Sequence, residues 1–272
     1  MKANQAERQR WNDSAWTECW PKRERFTNKV TPVLLAALEL KHGERVLDIG
    51  CGGGIATIEA ARRVGKDGAV VGADISVPLT ALASRRAAEA GAANISFEVV
   101  DVQLDRVQGG PFDVAMSQFG VMFFDEPRAA FANIRDHLTA GGRLGFACWQ
   151  AAVKNPWFFA SALAGIVPPP PPPPPGKSPT GPFALADAEY VRKILEGAGF
   201  VGISLATHDI SIDVPEDALV DDAQLVFVGV PDEKLPEARA AVDRHLAPFR
   251  QPSGMSRFPL AFQVVTAHTP TG

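Results

Sequence analysis

Asp48-Ile49-Gly50-Cys51-Gly52-Gly53-Gly54 sits between an apolar run, Val46-Leu47, and a helical segment, Ile55–Val64. The order is therefore strand, glycine turn, helix. Glycines recur at alternate positions behind an acid, in the pattern D-x-G-x-G-x-G. Glycine admits positive φ and lets a ligand approach the backbone closely. The N-terminus of the following helix offers free N–H groups to an anion. Together these features suit a nucleotide-like cofactor with a carboxylate tail. A dinucleotide turn would read G-x-G-x-x-G. Gly50 and Gly52 satisfy it, but its third glycine falls on Ile55.

Around this turn the chain alternates strand and helix. Val70–Asp74 is a second strand ending in an acid, Ile95–Val100 a third followed by Asp101, and Phe112–Ser117 a fourth. Helices are expected over Val33–Leu40, Pro78–Ala90 and Pro127–Leu138, and a fifth strand over Arg143–Trp149. Short strands apolar on both faces, each followed by a helix, argue for a parallel sheet covered on both sides. After Trp149 the alternation breaks. An aromatic segment leads to eight consecutive prolines, Pro168–Pro175, which read as a stiff polyproline connector. A helix over Asp187–Gly197, a strand over Val201–Asp213, a helix near 232–247 and a strand over Pro259–Ala267 complete the chain.

The acid-led glycine turn resembles motif I of the class I S-adenosylmethionine (SAM) methyltransferases. Asp74 at the end of strand two, Asp101-Val102 after strand three, Ser117-Gln118-Phe119-Gly120 after strand four and Leu138-Thr139-Ala140-Gly141-Gly142 before strand five recur in that family's order. Ala140 stands where the family usually has proline. The resemblance implies an α/β, Rossmann-like, seven-stranded, mostly parallel sheet in the order 3-2-1-4-5-7-6, with helices on both faces and a small helical cap. It implies SAM as cofactor, held by Asp48, Gly50, Cys51, Gly52, Asp74, Ile75, Asp101, Val102, Ser117 and Gln118. In the family, the strand-two acid takes the ribose hydroxyls and the strand-three acid the adenine amino group. The chain further resembles a bacterial small-molecule group related to the ubiquinone/menaquinone-biosynthesis C-methyltransferases. The expected organisation is a helical cap at 1–40, a SAM-binding core at 41–150, a lid and connector at 151–180, and the rest of the same domain at 181–272.

Trp16, Trp20, Phe119, Met122, Trp149 and Trp157 are candidates to shape the acceptor site, and they favour a small, mainly apolar molecule. Methyl transfer from a sulfonium is an in-line displacement that needs proximity and exclusion of water. The five histidines and Tyr190 give no catalytic base, so no catalytic residue is named. Three scattered cysteines, Cys19, Cys51 and Cys148, have neither metal-ligand nor disulfide spacing, so no metal site is expected. A net charge of −4 over 272 residues argues against nucleic acid. The sequence shows no membrane span or signal peptide, which fits a cytoplasmic protein and leaves a homodimer open. Two other readings are a SAM-binding regulatory protein without transfer and an NAD(P)-dependent oxidoreductase. The latter would want different glycine spacing.

Overall fold

The computed structural model describes residues 4–168, 178–215, 220 and 222–272. Seven strands form one sheet in the order β3-β2-β1-β4-β5-β7-β6. They are β1 (Arg45–Ile49), β2 (Ala69–Asp74), β3 (Ile95–Val99), β4 (Phe112–Gln118), β5 (Leu138–Trp149), β6 (Val201–Pro215) and β7 (Met255–His268). The first five run parallel. β7 inserts antiparallel between β5 and β6. This is the expected sheet order. Because β1 to β5 share a direction, Asp48, Asp74, Asp101 and Gln118 all lie at or near one edge of the sheet, at the carboxyl ends of the strands.

The helices follow local rules. α4 (Ile55–Val64) starts at Gly54 in the left-handed region and buries Ala56, Ile58, Ala60, Ala61 and Val64. α5 (Val77–Glu89) is capped by Ser76, whose hydroxyl accepts the Leu79 N–H, with Pro78 in its first turn. α7 (Ala188–Gly197) is capped by Asp187, which accepts the N–H groups of Glu189 and Tyr190. α4 packs on β1 to β3, α5 on β2 and β3, α6 (Pro127–Arg135) on α7, and α7 on β6. The N-terminus forms three helices, α1 (Gln5–Trp11), α2 (Ser14–Thr27) and α3 (Thr31–Leu38). α3 packs on β4, β5 and β7. Two further helices, α8 (Asp222–Phe227) and α9 (Leu235–Leu246), precede β7.

The expected helix over Pro127–Leu138 stops at Arg135, and Leu138 already pairs with Phe112 in β5. The register then shifts between Phe112 and Val114, and Gly141 takes φ of 71°, so the Gly141-Gly142 pair lies inside an irregular strand rather than between helix and strand. β7 starts four residues before Pro259. That proline faces Ser211 of β6, beyond the stretch where β5 pairs with β7, so a missing N–H is tolerated there. The helix α8 has no counterpart among the elements expected from sequence. Most of the polyproline run, from Pro169 on, lies outside the described residues. The core centres on Phe112, Phe131, Phe146, Phe258 and Phe262, all at most 1 % exposed.

Candidate functional site

The glycine turn is held by backbone bonds to the neighbouring strand. Gly50 N–H and Cys51 N–H both donate to the Ala73 carbonyl, at 2.8 and 3.2 Å. Gly50, Gly52 and Gly54 take φ of 66°, 53° and 82°, which a side chain would resist. Space is decisive too. A Cβ at Gly50 would lie 2.7 Å from the Gly120 Cα, and one at Gly54 2.8 Å from the Ala83 Cβ. The turn after β1 thus abuts the turn after β4.

Asp48 is almost fully buried. Its Oδ2 accepts the Thr57 hydroxyl at 2.6 Å, while Oδ1 has no hydrogen-bond partner. Burial pushes its pKa up to about 7, the Thr57 bond opposes this, and the nearby Asp74 charge adds to it. Asp74 accepts Gly52 N–H at 2.8 Å and Ser76 N–H at 2.9 Å. Burial raises its pKa and these backbone bonds hold it back. The Cys51 thiol is buried and pushed well above its ordinary range, so it is not a reactive thiolate. Asp101 is also buried. Its Oδ1 accepts Asn4 Nδ2 and Gln103 N–H, both at 3.1 Å, and its Oδ2 has no hydrogen bond, the Arg8 guanidinium being 3.9 Å away. Val102, next to it, is buried and its carbonyl accepts Asn133 Nδ2.

Ser117 and Gln118 are occupied within the protein. The Ser117 hydroxyl donates to the Ile49 carbonyl at 2.7 Å and accepts Gly120 N–H at 3.2 Å, tying β4 to β1. Gln118 accepts the Thr31 hydroxyl at 2.8 Å and donates to the Thr27 carbonyl at 3.3 Å, fixing the α2–α3 corner. Phe119 has φ of 65°, unusual for a side-chain-bearing residue, and stacks on Trp149 with centroids 4.0 Å apart. Trp157 meets Trp149 at 4.8 Å, and Phe183 and Phe158 extend the group. Met122 is buried, and its carbonyl accepts Gly181 N–H. Trp20 lies against Gly52, whereas the side chain of Trp16 is outside the described residues.

The fold brings in several residues that the sequence pattern does not single out. Asn155 is fully buried and donates to the Ala261 carbonyl at 2.9 Å. Its Oδ1 accepts both Ala261 N–H and Trp157 Nε1, at 3.0 Å each. Asn12 donates to the Ile75 carbonyl and accepts Val77 N–H, and the Ser76 hydroxyl donates to the Trp11 carbonyl. Glu24 pairs with Arg86 at 2.8 Å. Nothing local in the sequence marks these pairings. The one available hint is Ser76-x-Pro78, a helix-start signature.

Three carboxylates thus gather where five strands end, around a glycine turn that opens a helix. Ligands of open α/β sheets bind at that edge. The family described as "Methyltransferase domain" matches residues 46–142. Nocamycin O-methyltransferase from Saccharothrix syringae is 30% identical over 210 residues, covering 72% of this chain and 73% of its own length. Aklanonic acid methyltransferase DauC from Streptomyces sp. (strain C5) is 40% identical over 104 residues, 38% of this chain, and the chain spans about half of DauC's length (47%). The fold is similar to that of YcgJ from Bacillus subtilis, with a TM-score of 0.61 at 15% identity, covering 90% of this chain and 100% of that one. It is also similar to Haemonchus contortus phosphoethanolamine N-methyltransferase 2 in complex with SAM, with a TM-score of 0.57 at 16% identity over 89% of this chain and 52% of that one.

This chain belongs to the class I SAM-dependent methyltransferases. Its cofactor is SAM, and the site fits that group. SAM carries a sulfonium and an ammonium, and Asp48 and Asp101 each keep a buried carboxylate oxygen without a hydrogen-bond partner. SAM also carries a carboxylate, and α4 opens on a glycine with no side-chain cap over its N–H groups. Among the described residues no helix is long and apolar enough to cross a membrane.

Proposed function

We propose that the chain transfers the SAM methyl group to a small, mainly apolar organic acceptor, chiefly by proximity and orientation. Residues 48–54, Asp74 with Ile75, and Asp101 with Val102 would hold the cofactor; Gln118 and Ser117 would shape its far wall. The cofactor supplies the electrophile, a methyl on sulfonium. The protein's task is to orient the acceptor, keep water out and place a nucleophilic atom within about 3–3.5 Å in line with that methyl.

The observation that carries the acceptor class is the aromatic wall of Phe119, Trp149, Trp157, Phe158 and Phe183 at the ends of β4 and β5. Such a wall offers flat, apolar surface to an acceptor. The two curated relatives are each named for methylation of a named compound, which supports the small-molecule reading. Three of the five histidines are engaged within the fold. His137 accepts Val107 N–H, His245 bonds the Pro156 carbonyl and His208 stacks on Phe262. Burial also lowers the His137 pKa, which favours its neutral form. An acceptor whose reacting atom is already deprotonated or nucleophilic fits this surface best.

Calorimetric titration with SAM, S-adenosylhomocysteine and NAD(H), followed by transfer of a radiolabelled methyl to a panel of apolar acids, phenols and amines, tests the proposal. The expected result is micromolar binding of the first two ligands and label in an extractable small product. Folded protein that binds neither adenosyl ligand, or that labels only protein or nucleic acid, would overturn it.

A further inference from the structure

The glycine turn is covered at Gly52 and Gly53 by Trp20 of the chain's own α2. A Cβ at Gly52 would lie 2.4 Å from Cζ2 of Trp20, and one at Gly53 would lie 2.6 Å from its Nε1. With only hydrogens there, the indole rests directly on the turn backbone. The indole is not loosely placed. Its Nε1 donates to Glu24 Oε1 at 2.6 Å, and the same oxygen accepts Arg86 Nη1 at 2.8 Å. Arg86, from α5, also donates to the Gly53 carbonyl at 2.9 Å. Arg86 therefore clasps the turn and the Trp20–Glu24 pair together. The side chains of Glu24 and Arg86 are 9% and 24% exposed, so the pair is shielded from solvent.

The same arm occupies the neighbouring recognition points. Asn12 takes the Ile75 carbonyl, the Trp11 carbonyl takes the Ser76 hydroxyl, and Asn4 takes Asp101. Trp11 stands edge-on to Trp20, with centroids 6.2 Å apart. The segment Asn4–Glu24 thus reaches groups after β1, β2 and β3 at once.

We propose that Trp20, latched by the Glu24–Arg86 pair, is a plug that competes with SAM for the face of the glycine turn. The proposal rests on the assignment of SAM to that turn. Heavy atoms pack no closer than about 3.5–4.0 Å, so one layer of contact on Gly52 and Gly53 holds either the indole or the ligand. The arm must therefore leave the turn before cofactor binds, and apparent affinity falls by the fraction of molecules with the arm away. A lid that only covers bound cofactor would have its side chains above the ligand, not on the turn backbone.

The test uses the full chain with the variants Trp20→Ala, Trp20→Phe and Glu24→Gln. S-adenosylhomocysteine binding is measured by calorimetry, and association is followed by stopped-flow tryptophan fluorescence. For a plug closed in roughly 90–99% of molecules, Trp20→Ala should bind about 10–100-fold tighter, with the gain in the association rate. Glu24→Gln keeps the shape but removes the charge that holds Arg86, and it should associate several-fold faster. Weaker binding by folded Trp20→Ala, or unchanged association in Glu24→Gln, overturns the plug and makes Trp20 a wall of the bound cofactor. If Trp20→Ala does not fold, the association rates of Trp20→Phe and Glu24→Gln decide between plug and wall. Loss of binding in wild type and every variant alike strikes instead at the cofactor assignment, and the plug falls with it.

Discussion

Replacing Asp48 with Asn should make this protein more stable at pH 8 and a poorer binder of its cofactor. Asp48 is fully enclosed, with a folded-state pKa of about 7 against an ordinary 3.8. A raised carboxyl pKa means that the folded chain holds more protons than the unfolded chain between about pH 4 and pH 7. Stability therefore falls as pH rises through that window and levels off above it. At about 1.36 kcal/mol per pKa unit, the penalty at pH 8 is about 4 kcal/mol. At pH 5, where the folded carboxyl is protonated, it is about 1.6 kcal/mol. Asn carries no charge. Its amide oxygen can still accept the Thr57 hydroxyl, but its NH2 takes the place of Oδ1, which has no hydrogen-bond partner, at a loss of about 1 kcal/mol. The variant should gain about 3 kcal/mol at pH 8 and less than about 1 kcal/mol at pH 5. For a chain of this size the gain at pH 8 corresponds to roughly 6–10 °C in Tm. Urea unfolding of both proteins at pH 5, 6.5 and 8 measures the difference directly, and calorimetry with S-adenosylhomocysteine should show affinity lowered by about 1–3 kcal/mol. An advantage that is absent at pH 8, or the same at every pH, would refute the reasoning, because it would mean that Asp48 ionises as freely as in water.

Asp74→Asn should weaken SAM binding by about 1–3 kcal/mol in calorimetry and lower stability by about 1 kcal/mol, since an amide oxygen can accept only one of the Gly52 and Ser76 N–H groups. Unchanged affinity would remove Asp74 from the cofactor site. Gly50→Ala should destabilise by more than about 1 kcal/mol, because a side chain is strained at φ of 66° and its Cβ would stand 2.7 Å from the Gly120 backbone. A melt within error of wild type would show that the two turns are free to part. Asn155→Leu should cost about 2–4 kcal/mol, because Ala261 N–H and Trp157 Nε1 lose their shared acceptor in a buried site. Trp157 fluorescence should report the loosened indole.

The sequence by itself determined the strand–turn–helix unit and the chemistry it offers. Those features lie within a few residues of one another: the acid, the alternate glycines and the helix start of residues 48–55 fix a backbone shape through φ preferences and free N–H groups alone. Strand–helix alternation likewise implied the parallel sheet, because short strands apolar on both faces must be covered on both sides. The family resemblance supplied the sheet order and the acids at the ends of strands two and three. Helix ends were less legible, as at Leu138, where pairing with Phe112 overrode helical continuation. Tertiary structure alone decided what stands on the turn and what holds the acceptor wall. Arg86 and Glu24 are 62 residues apart, Asn4 and Asp101 97, and Asn155 and Ala261 106. No local periodicity encodes such pairs. They exist because burial leaves a polar group only the partner that the fold carries to it. For the same reason Gln118, which by the family pattern would face the cofactor, spends its amide on the α2–α3 corner.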